Sequence, residues 1–187
     1  MKILIQEMLI VICMFWSGIS YTDTLRDTYY EKMSRAPDGT VIFIENGILY
    51  RPIEAFTGST FSHCAIIIYG NVYEATPPAV RKMSTNEYAE YLSKRHTKRP
   101  LTRVVFVEPP LPFSSTILQK MLKYAQGKIG TPYKLSTYWN RNQKIGMHCA
   151  QYVGNILQES GRINSNDNKE TPGSLYKKLI EISYADK

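Results

Sequence analysis

Residues 146–154, GMHCAQYVG, place a cysteine directly after a glycine-containing turn and at the start of an apolar segment. The segment carries apolar side chains at the spacing of one helix face, namely Ala150, Val153, Ile156 and Leu157. A thiol at a helix N-terminus lies at the positive end of the helix dipole, which favours the thiolate over the thiol. The stretch therefore predicts a helix that begins at Cys149 and stops by Gly161, with a reactive cysteine as its first residue.

A thiolate needs a base beside it to work as a nucleophile, and the chain has three histidines. His63 stands at the start of the most apolar predicted strand, and we expect it to meet Cys149 in space. His148 precedes the cysteine and is expected to point away from the thiol, while His96 lies in a basic stretch and is expected to be exposed. The structural alternative is that Cys149 is a small core residue and His63 has no catalytic role.

The remaining pattern predicts a single α+β domain over residues 21–187. Strands are predicted over residues 40–45, 62–69, 72–75 and 103–107, and the second and third form a hairpin at Gly70-Asn71. Helices are predicted over residues 23–36, 86–94 and 114–126, from Cys149, and through Leu175 and Leu179 near the end. Pro77-Pro78 is expected to end the third strand.

The charge pattern restricts the partners that we expect. The 187 residues carry a net charge of +7, but the basic residues are dispersed. The densest run extends from Lys94 to Arg99 (KRHTKR) and is interpreted as a solvated loop, with contact to an anionic surface as the alternative. No nucleic-acid-binding motif accompanies it, so no nucleic acid is expected as a partner.

The cysteine and histidine pattern argues against a disulfide framework and against a metal site. Three cysteines do not make a set of pairs. Cys64 follows His63 along a strand, so its side chain points to the opposite face, and we interpret it as a core residue. The histidines and cysteines lack the spacing of metal ligands, and the sequence predicts neither a metal nor a cofactor. The oligomeric state is not predicted.

Residues 1–20 have the features of a targeting segment. They begin with Met1-Lys2, continue through an apolar run from Met8 to Trp16 and reach small residues near Ser20. This pattern predicts a signal peptide, and hence a protein that is secreted, periplasmic or part of the cell envelope. The run is too short to span a bilayer as an ordinary helix. An amphipathic leader that stays attached is the alternative.

Six short segments together point to a known family. In order they are residues 38–43 (DGTVIF), 63–68 (HCAIII), 72–75 (VYEA), 124–133 (YAQGKIGTPY), 148–153 (HCAQYV) and 171–175 (TPGSL). On these segments the chain resembles, over about residues 36–180, the circularly permuted branch of the NlpC-type papain-like hydrolases, the YiiX-like proteins. The resemblance implies a permuted papain-like α+β fold in which a small antiparallel sheet packs against the cysteine-bearing helix.

The resemblance also implies roles for three residues. Cys149 is the nucleophile, His63 is the general base and later the proton donor to the leaving group, and Glu74 orients the imidazole. A two-residue turn at Gly70-Asn71 pairs Ile67 with Glu74, which leaves His63 four residues away, or ~13 Å at the rise of a strand. A bulge or a longer loop is therefore expected to bring Glu74 to His63.

Substrate contacts are expected around the same site. The backbone N–H of Cys149 is a candidate for the oxyanion hole, and Tyr133 is a candidate contact because of its position in the family's loop. Tyr73 is a second candidate for substrate binding, together with Tyr69, Tyr88 and Tyr91, which could line a groove. The chain has fourteen tyrosines, so some clustering is inevitable.

The sequence thus predicts a cysteine hydrolase, an amidase or peptidase that acts on cell-wall-derived or γ-glutamyl-type peptides. Some members of the family act on lipid acyl groups, so a lipid acyl hydrolase or acyltransferase with the same Cys-His pair is one alternative. A catalytically silent binding module of the same fold is another. It is suggested by His148 and Ala150, which replace the bulky residue and the serine that family members usually carry beside the cysteine.

Overall fold

The computed structural model describes residues 21–46, 59–98, 101–135, 146–165 and 169–185. The strands are β1 (Val41–Asn46), β2 (His63–Ile68), β3 (Asn71–Thr76), β4 (Ala79–Ser84) and β5 (Leu101–Val107). The helices are α1 (Tyr21–Arg35), α2 (Thr85–Lys98), α3 (Ser115–Gly127), α4 (Cys149–Gln158) and α5 (Pro172–Ala185). The signal peptide predicted for residues 1–20 lies outside the described residues. Among the helices described, none is both long and apolar enough to cross a lipid bilayer.

The described strands form one antiparallel sheet in the order β4-β3-β2-β1-β5. The first four strands follow one another as a meander, and α2 then carries the chain to the other edge, where β5 pairs with β1. Strand β2 is buried along its whole length. Burial on both faces explains why its sequence, HCAIII, is apolar almost without interruption instead of alternating with polar residues.

Helices cover both faces of the sheet. On one face, Ile66 of β2 packs in a buried cluster with Val153 of α4 and with residues of α3 and α5. On the other face, Ile67 packs with Met33 of α1 and Leu92 of α2. The cysteine-bearing helix therefore lies against the middle of the sheet, and the predicted α+β class with this packing is confirmed.

Helix α4 is buried on nearly every side. Its buried residues are Cys149, Ala150, Gln151, Tyr152, Val153, Gly154, Ile156 and Leu157. A helix that is apolar all round belongs in a core, between the sheet and a second layer. Gly154 permits this packing, because a Cβ atom there would stand 2.7 Å from the Ser165 side-chain oxygen.

Strand β3 ends at Thr76, so the prediction that Pro77-Pro78 ends this strand is confirmed. The strand that follows was not predicted: the two prolines form the turn into β4. Helix α2 then continues to Lys98, so most of the run predicted as a basic loop is helical, with Glu90 and Lys94 paired at 2.5 Å one turn apart. Strand β4 was hard to recognise because it lies at the sheet edge and buries only Val80.

Candidate active site

Cys149 is the first residue of α4 and its side chain is almost fully buried, with 4% of the residue exposed. His148 caps the helix, and its Nδ1 accepts a hydrogen bond from the backbone N–H of Gln151 at 3.2 Å. The predicted helix start is thus confirmed to the residue. The capping role explains why a histidine stands beside the cysteine: its ring nitrogen satisfies a backbone donor of the first helical turn.

His63 and Glu74 lie side by side in the buried part of the sheet. His63 Nε2 donates a hydrogen bond to Glu74 Oε2 at 2.6 Å. A hydrogen bond between His63 and Cys149 is in turn the largest influence that raises the pKa of His63. The structure therefore brings together the three residues that the sequence singles out, in the order Cys149, His63 and Glu74.

The register of the hairpin between β2 and β3 explains the contact. The turn is Tyr69-Gly70, with φ angles of 48° and 66°, and not the predicted Gly70-Asn71. Ile68 consequently lies opposite Asn71, and the same register places Glu74 two residues from His63 instead of four. The predicted register is wrong by this shift, and a two-residue turn suffices without the expected bulge or longer loop.

Glu74 has two further partners that the sequence did not suggest. Arg81 Nε donates to Glu74 Oε1 at 2.7 Å, and the Tyr88 hydroxyl donates to Glu74 Oε2 at 3.0 Å. Arg81 lies opposite Glu74 in the pairing of β3 with β4, and Tyr88 follows on α2. The signal that could have found Arg81 is the Pro77-Pro78 turn, because a hairpin centred there places residues 74 and 81 across from each other.

These contacts set the ionisation of the site. Burial alone would raise the pKa of Glu74, but the hydrogen bond and charge of His63, together with Arg81, lower that pKa to about 2. Burial alone would lower the pKa of His63, but its hydrogen bonds to Cys149 and Glu74 raise that pKa to about 10. Glu74 is therefore a carboxylate and His63 an imidazolium at neutral pH.

The thiol of Cys149 is correspondingly acidic. The largest influence is a hydrogen bond from Cys64, and although burial opposes ionisation, the hydrogen bond and charge of His63 add to the effect. The pKa of Cys149 lies well below its usual value as a result. The directions of the two pKa shifts favour a thiolate on Cys149 beside an imidazolium on His63.

Cys64 is a core residue, as the sequence predicts, but it also belongs to the site. It is fully buried and packs in the same cluster as Cys149, on the α4 face of the sheet. Burial and its hydrogen bond to Cys149 raise the pKa of Cys64 well above the usual value, so this thiol stays protonated and acts as a donor. Cys64 and His63 point to opposite faces of β2, and Cys149 has a partner from each of these two faces.

The two candidate substrate-binding tyrosines lie in different surroundings. Tyr133 is half-buried and forms a parallel bridge with Met147, two residues before Cys149. Burial, with the negative charge on Cys149, raises the pKa of Tyr133, so its ring is near the thiolate. Tyr73, by contrast, is 1% exposed and packs in the core, and its contact with substrate stays a prediction.

The remaining histidine, His96, and the described part of the basic run, Lys94 to Lys98, lie outside the site. His96 is part of α2, where its ring lies 6.4 Å from that of Tyr21. Of the neighbouring tyrosines, Tyr69 is 46% exposed at the hairpin turn, and Tyr91 packs against Tyr88 with ring centres 5.6 Å apart. Among the described residues, no group of three or more His, Cys, Asp or Glu side chains is placed to hold a metal ion.

The fold and the site define a small α+β domain in which a buried cysteine, histidine and glutamate are linked in that order by hydrogen bonds. Among solved structures, the chain is similar to the metalloprotein YiiX from Escherichia coli O157:H7, with a TM-score of 0.50 and 20% identity over 67% of each chain. The fold of this chain is YiiX-like. No protein-family model matches the sequence, and no curated protein matches it either.

Proposed function

We propose that the protein is a cysteine hydrolase that cleaves amide bonds, with Cys149 as nucleophile, His63 as acid and base, and Glu74 as the group that holds the imidazole. The observation that carries the proposal is the chain of hydrogen bonds from Cys149 through His63 to Glu74, whose last link measures 2.6 Å. Thiol hydrolases use a thiolate at a helix start, an imidazolium beside it and a polar group behind the imidazole. A cysteine and a histidine with purely structural roles would need none of these charges.

The reaction has two halves. In the first, the Cys149 thiolate attacks the carbonyl carbon of the amide, a sulfur–carbon bond forms, and the carbonyl oxygen takes the negative charge. His63 then gives its proton to the leaving nitrogen, the carbon–nitrogen bond breaks, and the acyl group stays on Cys149 as a thioester. In the second half, neutral His63 takes a proton from water, the resulting hydroxide bonds to the acyl carbon, and the thiolate leaves.

The negative oxygen of the intermediate needs donors that are already in place. The backbone N–H of Cys149 is at a helix N-terminus, where the first N–H groups have no acceptor within the helix. The dipole of α4 favours negative charge at the same point. Tyr133 stands near the thiolate and is the side chain we assign to contact with the acyl portion of the substrate.

For the substrate we propose peptides derived from cell walls or with γ-glutamyl linkages. The resemblance to permuted NlpC-type hydrolases supports this class, and the signal peptide predicted over residues 1–20 is consistent with action outside the cytoplasm. The described residues offer no metal-binding group, so we route no step through a metal, although YiiX is described as a metalloprotein.

The proposal is tested by the rate at which iodoacetamide alkylates Cys149 as a function of pH. Wild-type protein is expected to react well below the pKa of about 8.5 of an ordinary thiol. His63→Ala is expected to lose this low-pH reactivity, because the imidazolium that stabilises the thiolate is gone. His96→Ala is the matched control, since it removes a histidine that lies outside the site.

Two results would overturn the proposal. Wild-type Cys149 that titrates like a free thiol would favour the silent binding module, as would equal reactivity in His63→Ala and wild type. If the thiolate is present, a panel of γ-glutamyl peptides, cell-wall peptides and lipid esters identifies the substrate. Release of fatty acid without release of amine would replace the amidase assignment with that of a lipid acyl hydrolase.

A further inference from the structure

The carboxylate of Glu74 is fixed at both of its oxygens. Oε2 accepts from His63 and from Tyr88, and Oε1 accepts from Arg81. Rotation of the carboxylate by any large angle would break contacts on both sides at once. Because Glu74 is 1% exposed, water cannot replace the lost donors.

The groups that hold Glu74 come from one continuous piece of chain. Glu74 and Arg81 are directly opposite each other on β3 and β4, which lets a side-chain pair form across the strands. Helix α2 begins directly after β4, and Tyr88 lies in its first turns. The Arg81 guanidinium is itself held in place, because it stacks 4.7 Å from the ring centre of Tyr91 on the same helix.

The positive charge of Arg81 is the second way in which it acts on Glu74. The charges that act on Glu74 are those of His63 from β2 and Arg81 from β4, and the Tyr88 hydroxyl from α2 is a further donor. Arg95, also on α2, donates to the Tyr91 hydroxyl at 3.1 Å. Without Arg81 the buried carboxylate would lose one of the two cations beside it, and a protein interior stabilises an ion with fewer partners poorly. The side chain of Arg81 is 36% exposed, so solvent screens part of this effect.

We propose that Arg81 is a positioning residue of the site, which keeps Glu74 ionised and aimed at His63, with Tyr88 as the second support. Its importance for catalysis rests on the proposed function, but its effect on Glu74 does not. Arg81 does not touch the reacting atoms; it acts through Glu74 on His63. Nothing in the sequence motifs around Cys149 or His63 points to it.

The experiment measures two titrations in Arg81→Met, Arg81→Lys and wild type. The first follows the side-chain carboxyl of Glu74 by carbon NMR. We expect Arg81→Met to raise the pKa of Glu74 by roughly 1–3 pH units, the usual effect of an arginine beside a carboxylate. The second follows alkylation of Cys149, whose loss at acid pH is expected to occur at higher pH in Arg81→Met. Both effects of the mutation, loss of positive charge and loosening of Glu74, act in that direction.

Arg103→Met is the matched control, because Arg103 pairs with Glu45 at 3.3 Å on the same sheet and lies away from Glu74. It is expected to leave both titrations unchanged, and Arg81→Lys is expected to fall between Arg81→Met and wild type. The proposal is overturned if the pKa of Glu74 is the same in wild type and Arg81→Met. It is also overturned if Arg103→Met shifts that pKa equally.

Two further outcomes are separable. If Arg81→Met fails to fold, Arg81→Lys carries the test, and an unchanged Glu74 titration in that variant counts against the proposal. If wild-type Cys149 shows no low-pH reactivity, the proposed hydrolase function fails. The Glu74 titration still decides the role of Arg81 in that case, since it is read without any reaction at the cysteine.

Discussion

Cys64 of β2 and Cys149 of α4 pack in one buried cluster, and a hydrogen bond to Cys64 is the largest influence that lowers the pKa of Cys149. Cys149 therefore has two stabilising partners on one strand, the thiol of Cys64 and the imidazolium of His63. They start from opposite faces of β2 because they are adjacent in sequence. The position of His63 as the first residue of the strand places its ring at the end of the sheet, where it too can reach Cys149.

Replacement of Cys64 by alanine is expected to raise the pKa of Cys149, because the thiolate loses the donor with the largest influence on it. Alkylation at a pH below the wild-type midpoint should slow on the order of tenfold, the usual effect of a hydrogen bond to a charged group. The ultraviolet absorbance of the thiolate against pH gives an independent reading. Cys64→Ser keeps a donor and should lie closer to wild type; an identical curve for alanine would contradict the expectation.

The pair of Cys149 and His63 makes a specific prediction about stability against pH. The folded pair holds one proton, on His63, and between pH 6.5 and 9.0 the unfolded chain also holds one, on the thiol. The contribution of the pair is therefore expected to be flat in this window. Below pH 6.5 the unfolded chain binds a second proton, so the free energy of unfolding should fall as the pH falls. Above pH 9.0 the unfolded chain binds none, while folded His63 keeps its proton up to about pH 10, so the free energy of unfolding should fall as the pH rises.

Replacement of Cys149 by alanine should remove the flat window. His63 then titrates without Cys149, and we expect Glu74 to keep the pKa of His63 above 6.5, so that its stabilising effect is complete below pH 6.5 and is lost as the pH rises. The free energy of unfolding should fall by up to about 1.4 kcal/mol per pH unit above that point. Urea unfolding of both proteins across this range measures the difference. Parallel curves of unfolding free energy against pH would mean that the ionisation of Cys149 is not coupled to that of His63.

Glu74→Gln is expected to lower the pKa of His63. Burial pushes this pKa down, and the variant loses the carboxylate that opposes it. An NMR titration of the imidazole protons reads the change directly. Glu45→Gln is the matched control, because Glu45 pairs with Arg103 on the same sheet. A fall of equal size in the control would show that the effect is general to the sheet and not due to the contact with His63.

Gly173→Ala is expected to destabilise the fold. Gly173 lies at the start of α5, where a Cβ would stand 2.3 Å from the Cβ and the side-chain oxygen of Ser59. Overpacking of this kind costs roughly 1–3 kcal/mol. Gly127→Ala, where nothing lies within 4 Å, should be neutral or slightly stabilising. Chemical denaturation compares the two, and equal midpoints would show that the segment around Ser59 yields without cost.

The sequence was sufficient for the elements that carry their own signal. The helix of Cys149 was predictable because its apolar spacing and its turn are local, and the strand of His63 because an unbroken apolar run fits a strand buried on both faces. The presence of a glycine at position 173, within the TPGSL segment, is explained only by the packed structure, in which Ser59 approaches this position closely.

The parts that escaped prediction depend on tertiary contacts. The turn at Tyr69-Gly70 puts a tyrosine in the left-handed region, which its sequence does not favour. The carboxylate of Asp38 accepts a hydrogen bond from the backbone N–H of Tyr69 at 2.6 Å, and this distant contact helps to set the hairpin register. Arg81 and Tyr88 were missed for a related reason: their roles exist only once β4 is paired beside Glu74.

The chain order of the site has a consequence for how it assembles. Glu74, Arg81 and Tyr88 follow His63 within one stretch of hairpin and helix, whereas Cys149 lies 61 residues beyond Tyr88. Contacts between neighbours in sequence close small loops and form early, and contacts that close large loops form late. We therefore expect the contacts among His63, Glu74, Arg81 and Tyr88 to form before Cys149 reaches them. The appearance of the thiolate would then report the last step of folding, the docking of α4 onto the sheet.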